Sequence, residues 1–486
     1  GEVTTLAYDA RGRIIREDIP GVGVAQYHYD KLGRITRVQD SRYGQRRFVY
    51  DAAGQLIKAV NGLGGETHYD YDERGRVTRV TDPAGGVTTY SYTHLDAVET
   101  VTDPLNRVVK TTYDPAGRKS FQTDPEGNVT EWSYDDAGRQ TSISINGQLV
   151  TQIVRDDANR SMVVRDATQG ARSRVEHHLT YNRRDQLIRR VTTAGDRTEE
   201  MRWEYDADGY RTGMTTPDGT RITYDRDRSG RVTRIHHGTF GEAVYAYDAD
   251  GRLTQARADD LLQTWEYHRG SPVVHTDTSP DGTVVTRIER DAQGRIVELS
   301  GPHGTTRYEY DQACQLTAAI TDGVRATWTY DPAGRDIAQT GPDGETSYLY
   351  DRAGQLLMVK DPAGHVTTYE YDRQGQRIFE TTDDATMKYV WDARGWLTGI
   401  IERHAAGTRE TNLNVNALGE LTAINNTRLH WELAAGAPSL LQRGDDHVYQ
   451  GPLTGLNGVW QSLGWRAARA TDHQDPWQTL ADVAGR

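Results

Sequence analysis

A tyrosine-aspartate pair returns about every 21 residues through most of this chain, and the period constrains the fold more than any single residue does. It stands in YHYDKLGRITRV (Tyr27 to Val38), YDYDERGRVTRV (Tyr69 to Val80), YAYDADGRLTQA (Tyr245 to Ala256) and YEYDRQGQRIFE (Tyr369 to Glu380). Aligned on the aspartate, the copies fall at Asp9, Asp30, Asp51, Asp72, Asp114, Asp135 and Asp156, with Thr93 in the open slot. The register slips across a longer copy around Asn182. It resumes at Asp206, Asp227, Asp248, His268, Asp291, Asp311, Asp331, Asp351, Asp372 and Asp392, and a decayed copy is centred on Asn416. About 20 units result, so the fold is that of an array in which each unit packs on its neighbours.

Each unit has the pattern of a β-hairpin. In Tyr27-His28-Tyr29 aromatic and polar residues alternate with strand periodicity, and Arg34 to Val38 alternate again as the return strand. Between them Asp30 can accept backbone N–H bonds, and Gly33, at the fourth position, can take a positive φ. Tyr29, Asp30, Gly33 and Arg34 are therefore the structural residues of their unit. Tyr71, Asp72, Gly75 and Arg76 fill the same places in another, and Tyr247, Asp248, Gly251 and Arg252 in a third. A second reversal closes the unit, as at Asp82-Pro83-Ala84-Gly85, Asp124-Pro125-Glu126-Gly127, Gly341-Pro342-Asp343-Gly344 and Asp361-Pro362-Ala363-Gly364, where proline presets φ.

Composition alone points elsewhere. With 36% hydrophobic and 26% charged residues and a mean hydropathy of −0.76, the chain drifts toward the disordered class. It has 27 tyrosines against 4 phenylalanines, and nearly all its basic charge is arginine. Tyrosine rings and planar guanidinium groups stack while their polar ends stay wet. The expectation is a long, twisted antiparallel sheet with water on both faces, its hydrophobic contribution spread along cross-strand pairs.

The net charge of −13, with arginines spaced by the repeat, argues against a nucleic-acid footprint. One cysteine, Cys314, excludes an internal disulfide, and no apolar run is long enough to span a bilayer as a helix. No secretory signal opens the sequence. Gly1 falls inside a repeat, so further repeats are expected upstream.

Few local motifs stand apart from the array. Asp225 to Gly230 matches the first half of a calcium loop, but His236 stands where a bidentate glutamate is required. His177-His178 and His236-His237 are strand neighbours that point to opposite faces, so neither pair makes a metal site. Arg443-Gly444-Asp445 spells an adhesion tripeptide in a chain rich in all three residues, where chance accounts for it. No phosphate-binding loop, HExxH or nucleophile elbow occurs, and no metal or cofactor is expected.

The run of YxYDxxGR(L/I/V)T units resembles the YD-repeat or Rhs family over about five sixths of the chain, residues 1–425. The resemblance implies an all-β strip spiralling into a hollow shell that holds a variable C-terminal toxin. Bacterial Rhs polymorphic toxins and the shell subunits of insecticidal toxin complexes are built so, and teneurins carry a related shell. It also implies a core end, here residues 426–486, that curls inward and in bacterial members often cuts the toxin free as an aspartyl peptidase. Trp431, Trp460, Trp465 and Trp477 with Gly451-Pro452 suggest a compact plug there. Gly464 to Trp477 is similar to the core-end pattern and offers Asp472 and Asp475 as the carboxylate pair. Ala467-Ala468 replace the usual first aspartate, and no Asp-Gly-x-Asn follows Asp475-Pro476.

No payload enzyme is expected between Pro476 and Arg486, so the chain is expected to be container and not cargo. Its partner is then its own toxin domain, with upstream repeats or another chain completing the wall. Hairpins contributing two strands at about 4.8 Å each make a strip roughly 190 Å long, about 60 Å across if rolled once. A bacterial protein made in the cytoplasm and then secreted or delivered to a target cell is implied. The alternative is a surface adhesion or carbohydrate-binding module using tyrosine and arginine ladders as stacking platforms.

Overall fold

Asp30 and Gly33 reverse the chain between the strands Gly23–Tyr29 and Ile35–Asp40, which pair antiparallel from Ala25 opposite Asp40 to Tyr29 opposite Ile35. The return strand then pairs with the next unit's first strand, Gly44–Tyr50, and that one with Leu56–Val60. The rule of pairing with the next strand along the chain is what an array of consecutive hairpins requires. The structure, a computed structural model, describes residues 3–20, 23–167, 175–238, 241–258, 261–280, 282–291, 293–302, 304–432, 439–443, 446–447, 454–456 and 459–461. Among the described residues there is no helix, and the elements are antiparallel strands joined by turns. The plug expected of residues 426–486 falls mostly outside the described residues.

One feature was not visible in the period. The ladder shifts register one residue before the repeat tyrosine, at His28/Tyr29, Val49/Tyr50, Asp70/Tyr71 and Ala246/Tyr247 alike. The extra residue lies on the return strand, at Thr36, Ile57, Thr78 and Thr254, so the tyrosine keeps its alternation while the return strand bends and the local twist increases.

The chain forms two compact units. The first comprises residues 1–127, 248–252 and 264–387, and the second 128–247, 253–263 and 388–486. In the first unit the array keeps strict register, with strands of five to seven residues between Gly23 and Thr123, most of them half-exposed on both faces. In the second, strands lengthen to eight or nine residues at Gln148–Asp156, Leu187–Ala194, Arg197–Tyr205 and Gly407–Val415. There one face closes: Gly241–Tyr247 alternates exposed and buried, and Trp203, Met214, Ile222, Ala243 and Tyr245 are at most 5% exposed. The expectation of water on both faces describes the first unit and is corrected in the second.

Candidate functional site

The site that recurs is the clasp at each Tyr-Asp turn. Asp30 Oδ1 accepts the N–H groups of Leu32 and Arg34, both at 2.9 Å, and Oδ2 accepts Arg34 Nε at 2.7 Å. The backbone closes the same loop, Asp30 N–H to the Arg34 carbonyl and Gly33 N–H to the Asp30 carbonyl, with Gly33 at φ +89°. Asp72 with Arg74 and Arg76 repeats it, as does Asp248 with Asp250 and Arg252, with Gly75 and Gly251 at φ +79° and +88°. The Arg76 backbone N–H, then its guanidinium, hold the Asp72 carboxyl below the ordinary aspartate value.

The arginine also reaches the next unit. Arg13 Cζ lies 4.4 Å from the Tyr29 ring centroid while its Nη1 donates to the Asp30 carbonyl at 3.4 Å, and Arg34 does the same to Tyr50 and the Asp51 carbonyl. Arg76 covers Tyr92, Arg231 covers Tyr247 and Arg252 covers Tyr267. The tyrosine hydroxyls are not left to water. Tyr29 donates to the Ile14 carbonyl at 2.6 Å, Tyr71 to Leu56 at 2.7 Å and Tyr247 to Val232 at 2.8 Å. The difference from the expected wet ends is that each ring reaches back to the preceding unit's return strand, where a backbone carbonyl takes its hydroxyl. Burial raises the Tyr71 and Tyr247 phenols, and pushes Tyr330 up to about 12.

In the first unit, second reversals also meet Tyr-Asp turns from about 250 residues further along. Gln45 N–H donates to the Gln312 carbonyl at 3.3 Å, Asn61 Nδ2 to Pro332 at 2.8 Å and Arg107 Nη1 to Gln355 Oε1 at 2.9 Å, and Arg373 N–H donates to Glu126 Oε1 at 2.9 Å. Glycine is required along this seam. A Cβ on Gly65 would stand 2.1 Å from the Pro332 carbonyl oxygen, and one on Gly86 2.5 Å from that of Arg352.

The second unit closes a similar approach with charge. Arg190 and Glu420, 8–9% exposed, form a bidentate pair at 2.5 and 2.7 Å. Fully buried His177 turns Nδ1 toward Thr192 Oγ1 at 3.0 Å and Arg190 Nη2 at 3.4 Å. Beside them Arg394 bridges Asp166 and Asp392, and Glu199 takes Arg428 at 2.9 Å and His430 at 3.1 Å. A cavity of about 410 Å³ lies among these groups. Burial would raise Glu420, but the Arg190 bonds outweigh it and hold the carboxyl low, while burial drives His177 down to about 4. This cluster escaped the reading by motif, since its bonded partners lie up to 231 residues apart.

Asp472, Asp475 and the Gly444-Asp445 pair lie outside the described residues. The calcium-loop match is spent on its own turn, Asp227 accepting Ser229 and Arg231 N–H and Arg231 Nε. His177 and His237 are buried while His178 and His236 are exposed. Among the described residues no group of three metal-ligating side chains occurs, and no helix could cross a membrane.

Residues 2–151 match the Teneurin YD-shell family, and residues 330–366 and 350–386 match the RHS Repeat family. Double-stranded DNA deaminase toxin A of Burkholderia cenocepacia (strain H111) is 27% identical over 146 residues, which make up 28% of this chain and 10% of that protein. A structure of the Photorhabdus luminescens Tc holotoxin pore aligns with 93% of this chain and 29% of its own, at TM-score 0.59 and 13% identity. The crystal structure of TcdB2-TccC3-TEV aligns with 95% of this chain and 31% of its own, at TM-score 0.55 and 14% identity. The chain thus spans about a third of the length of those structures and a tenth of the curated relative. At these identities the structural likeness shows a shared fold.

Proposed function

We propose, from the premise that this chain is a YD-repeat protein of the Rhs kind, that it is the wall of a container for a toxin polypeptide. The observation that supports this best is the seam of the first unit. A strip that lays one row of turns against another, with glycine wherever the backbones nearly touch, is built to leave no gap. A binding module has no use for such a seam, whereas a wall that must exclude water and proteases does. The names of the relatives point the same way, being toxins or toxin complexes.

In this reading the contents are a toxin domain from the same gene, and further repeats or another chain complete the wall. Delivery to a competing bacterium or another target cell follows from that role. The carbohydrate-binding alternative has less to stand on, because the repeat tyrosines have committed their hydroxyls and carry an arginine over the ring. The test is protection of the downstream polypeptide. In the full-length gene product, that polypeptide should resist added protease with the wild-type wall and become cleavable when Gly65→Arg and Gly86→Arg wedge the seam. Equal cleavage in both would remove the container role.

Asp472 and Asp475 enter as an aspartyl pair releasing the contents, one carboxyl protonated while the other activates water. The full-length wild type should show a cut chain on a denaturing gel and Asp475→Asn an uncut one. An Asp475→Asn chain cut at the same bond would leave these residues no peptidase role.

A further inference from the structure

We infer that His177, Arg190 and Glu420 form an acid-sensitive latch within the second unit, holding the strands of residues 175–205 to the segment 416–431 at neutral pH and loosening as the medium turns acid. The inference is independent of the container reading, since it concerns how one unit holds itself together.

The geometry carries it. Arg190 and Glu420 satisfy each other face to face and Asn416 donates a third bond to the carboxylate, so its single negative charge is already matched by the Arg190 guanidinium. His177 is 0% exposed and lies against the same guanidinium. With Nδ1 accepting from Arg190, its proton sits on Nε2, a buried atom with no partner among the described residues. A second proton would have to go on Nδ1. That ends the bond from Arg190 and sets two cations 3.4 Å apart in a closed site. The cheaper course is for the strands to part and hydrate the ring.

The other charged groups around the latch do not supply the missing anion. On the strand Ser161–Asp166, Asp166 is engaged by Arg394 from the turn of Asp392. Glu199, on the strand Arg197–Tyr205, is taken by Arg428 and His430 of the strand Thr427–Glu432. Asn416 spends its side-chain amide on Glu420, and His178 faces the opposite side. Arg197 lines the cavity and adds positive charge.

The direction in pH follows from linkage. The buried ring titrates at about 4 in the folded chain and near 6.5 when exposed, so the unfolded form binds the proton first. The stability due to keeping His177 neutral is present above about 6.5 and is lost as pH falls toward 4. Glu420, held low by Arg190, adds loss of the same sign only below the ordinary glutamate range. Lowering pH from 7 to 5 should therefore raise the local opening equilibrium on the order of 20-fold.

The experiment uses the whole chain, with amide hydrogen exchange followed by mass spectrometry at pH 7 and pH 5 and corrected for intrinsic rates. Wild-type peptides spanning 175–194 and 412–431 should open about 20-fold more at pH 5, while those spanning 44–71 of the first unit stay unchanged. In His177→Gln the increase should fall below about threefold. A rise in the variant equal to wild type, or none in wild type, overturns the latch. Should His177→Gln fail to fold, hydrogen exchange at the C2 carbon of His177 in the wild-type chain decides the matter. An inflection well below 6.5 supports the inference, and one at 6.5 overturns it.

Discussion

The two units use the same turn and stabilise themselves differently. Among the described residues, 19 of the 26 buried apolar side chains belong to the second unit, although it holds the smaller share of those residues. The first unit relies instead on clasps that satisfy their own backbone groups, and on a seam of carbonyls meeting glycines. The second has a buried face, and with it the cost of burying charge where its strands meet residues far along the chain. A strict 21-residue period is therefore compatible with a sheet that has hardly any core, provided each turn is self-contained. The closed face includes Met214, Ile222, Ile235 and Ala243, which lie between copies still 21 residues apart at Asp206, Asp227 and Asp248, so the period alone does not decide how a unit packs.

The largest effect should come from breaking the buried pair. Arg190→Ala leaves Glu420 ionised in a closed site and should cost about 3–5 kcal/mol, confined to the second unit. Replacing both partners with Arg190→Met and Glu420→Leu should restore most of it. Denaturant unfolding followed by hydrogen exchange in each unit measures this, and equal losses in both units would erase the contrast. A core truncation sharpens it. Ile222→Ala, at a site 5% exposed, should cost roughly 2–5 kcal/mol, whereas Ile57→Ala, at a strand site 37% exposed, should cost less than about 1 kcal/mol.

Slightly smaller is the loss of one clasp. Tyr247→Ala with Asp248→Ala removes a ring, a hydroxyl donor to Val232 and the acceptor of the turn together, for about 2–4 kcal/mol. Protection should drop in the strands on either side and hold several units away, because arrays lose stability by nearest-neighbour terms. Global loss of exchange protection would contradict that locality.

The clasp was legible because all its parts lie within one period. Asp30, Gly33 and Arg34 announce a turn by residue type and spacing, and proline marks the second reversal. The bulge before Tyr29 was not legible, since an extra residue on one strand leaves the 21-residue count unchanged. Nor was the destination of the tyrosine hydroxyl, a carbonyl in the preceding unit's return strand. The latch was hidden for a different reason. His177, Arg190 and Glu420 are ordinary residues on their own segments and become a site only where the chain passes itself again. One trace of that return could have been found: Gly65 and Gly86 occupy the same slot one period apart, without the positive φ that Gly64 and Gly85 require. A glycine not needed by its own turn is needed by something alongside.

That second kind of glycine gives the next prediction. Gly86→Ala puts a methyl 2.5 Å from the Arg352 carbonyl oxygen, so the seam must shift, at about 1–3 kcal/mol. Gly127→Ala has nothing within 4 Å, and its effect comes only from backbone strain at φ +91°. Cross-linking between the segments of residues 82–86 and 351–355 should weaken in the first variant and persist in the second. Equal cross-linking would mean that the seam does not need its glycines.

The smallest effect tests the faces that both units leave to water. Arg325 and Glu309 reach each other across the intervening strand Leu316–Thr321 in a bidentate pair at 2.6 and 2.8 Å, each side chain about half exposed. The geometry matches that of Arg190 and Glu420, yet the setting is opposite, because water screens the attraction and holding two long side chains in register costs entropy. The guanidinium bond keeps the Glu309 carboxyl below its ordinary value, so the pair's contribution is present above the ordinary glutamate range and lost as pH falls through the lowered one. Arg325→Gln should let that carboxyl return upward in an NMR titration while the unfolding midpoint at moderate salt stays where it was. A midpoint shift comparable to that of Arg190→Ala would mean that exposed ladders hold the first unit together, and the contrast between a self-satisfied strip and a packed one would have to be drawn elsewhere.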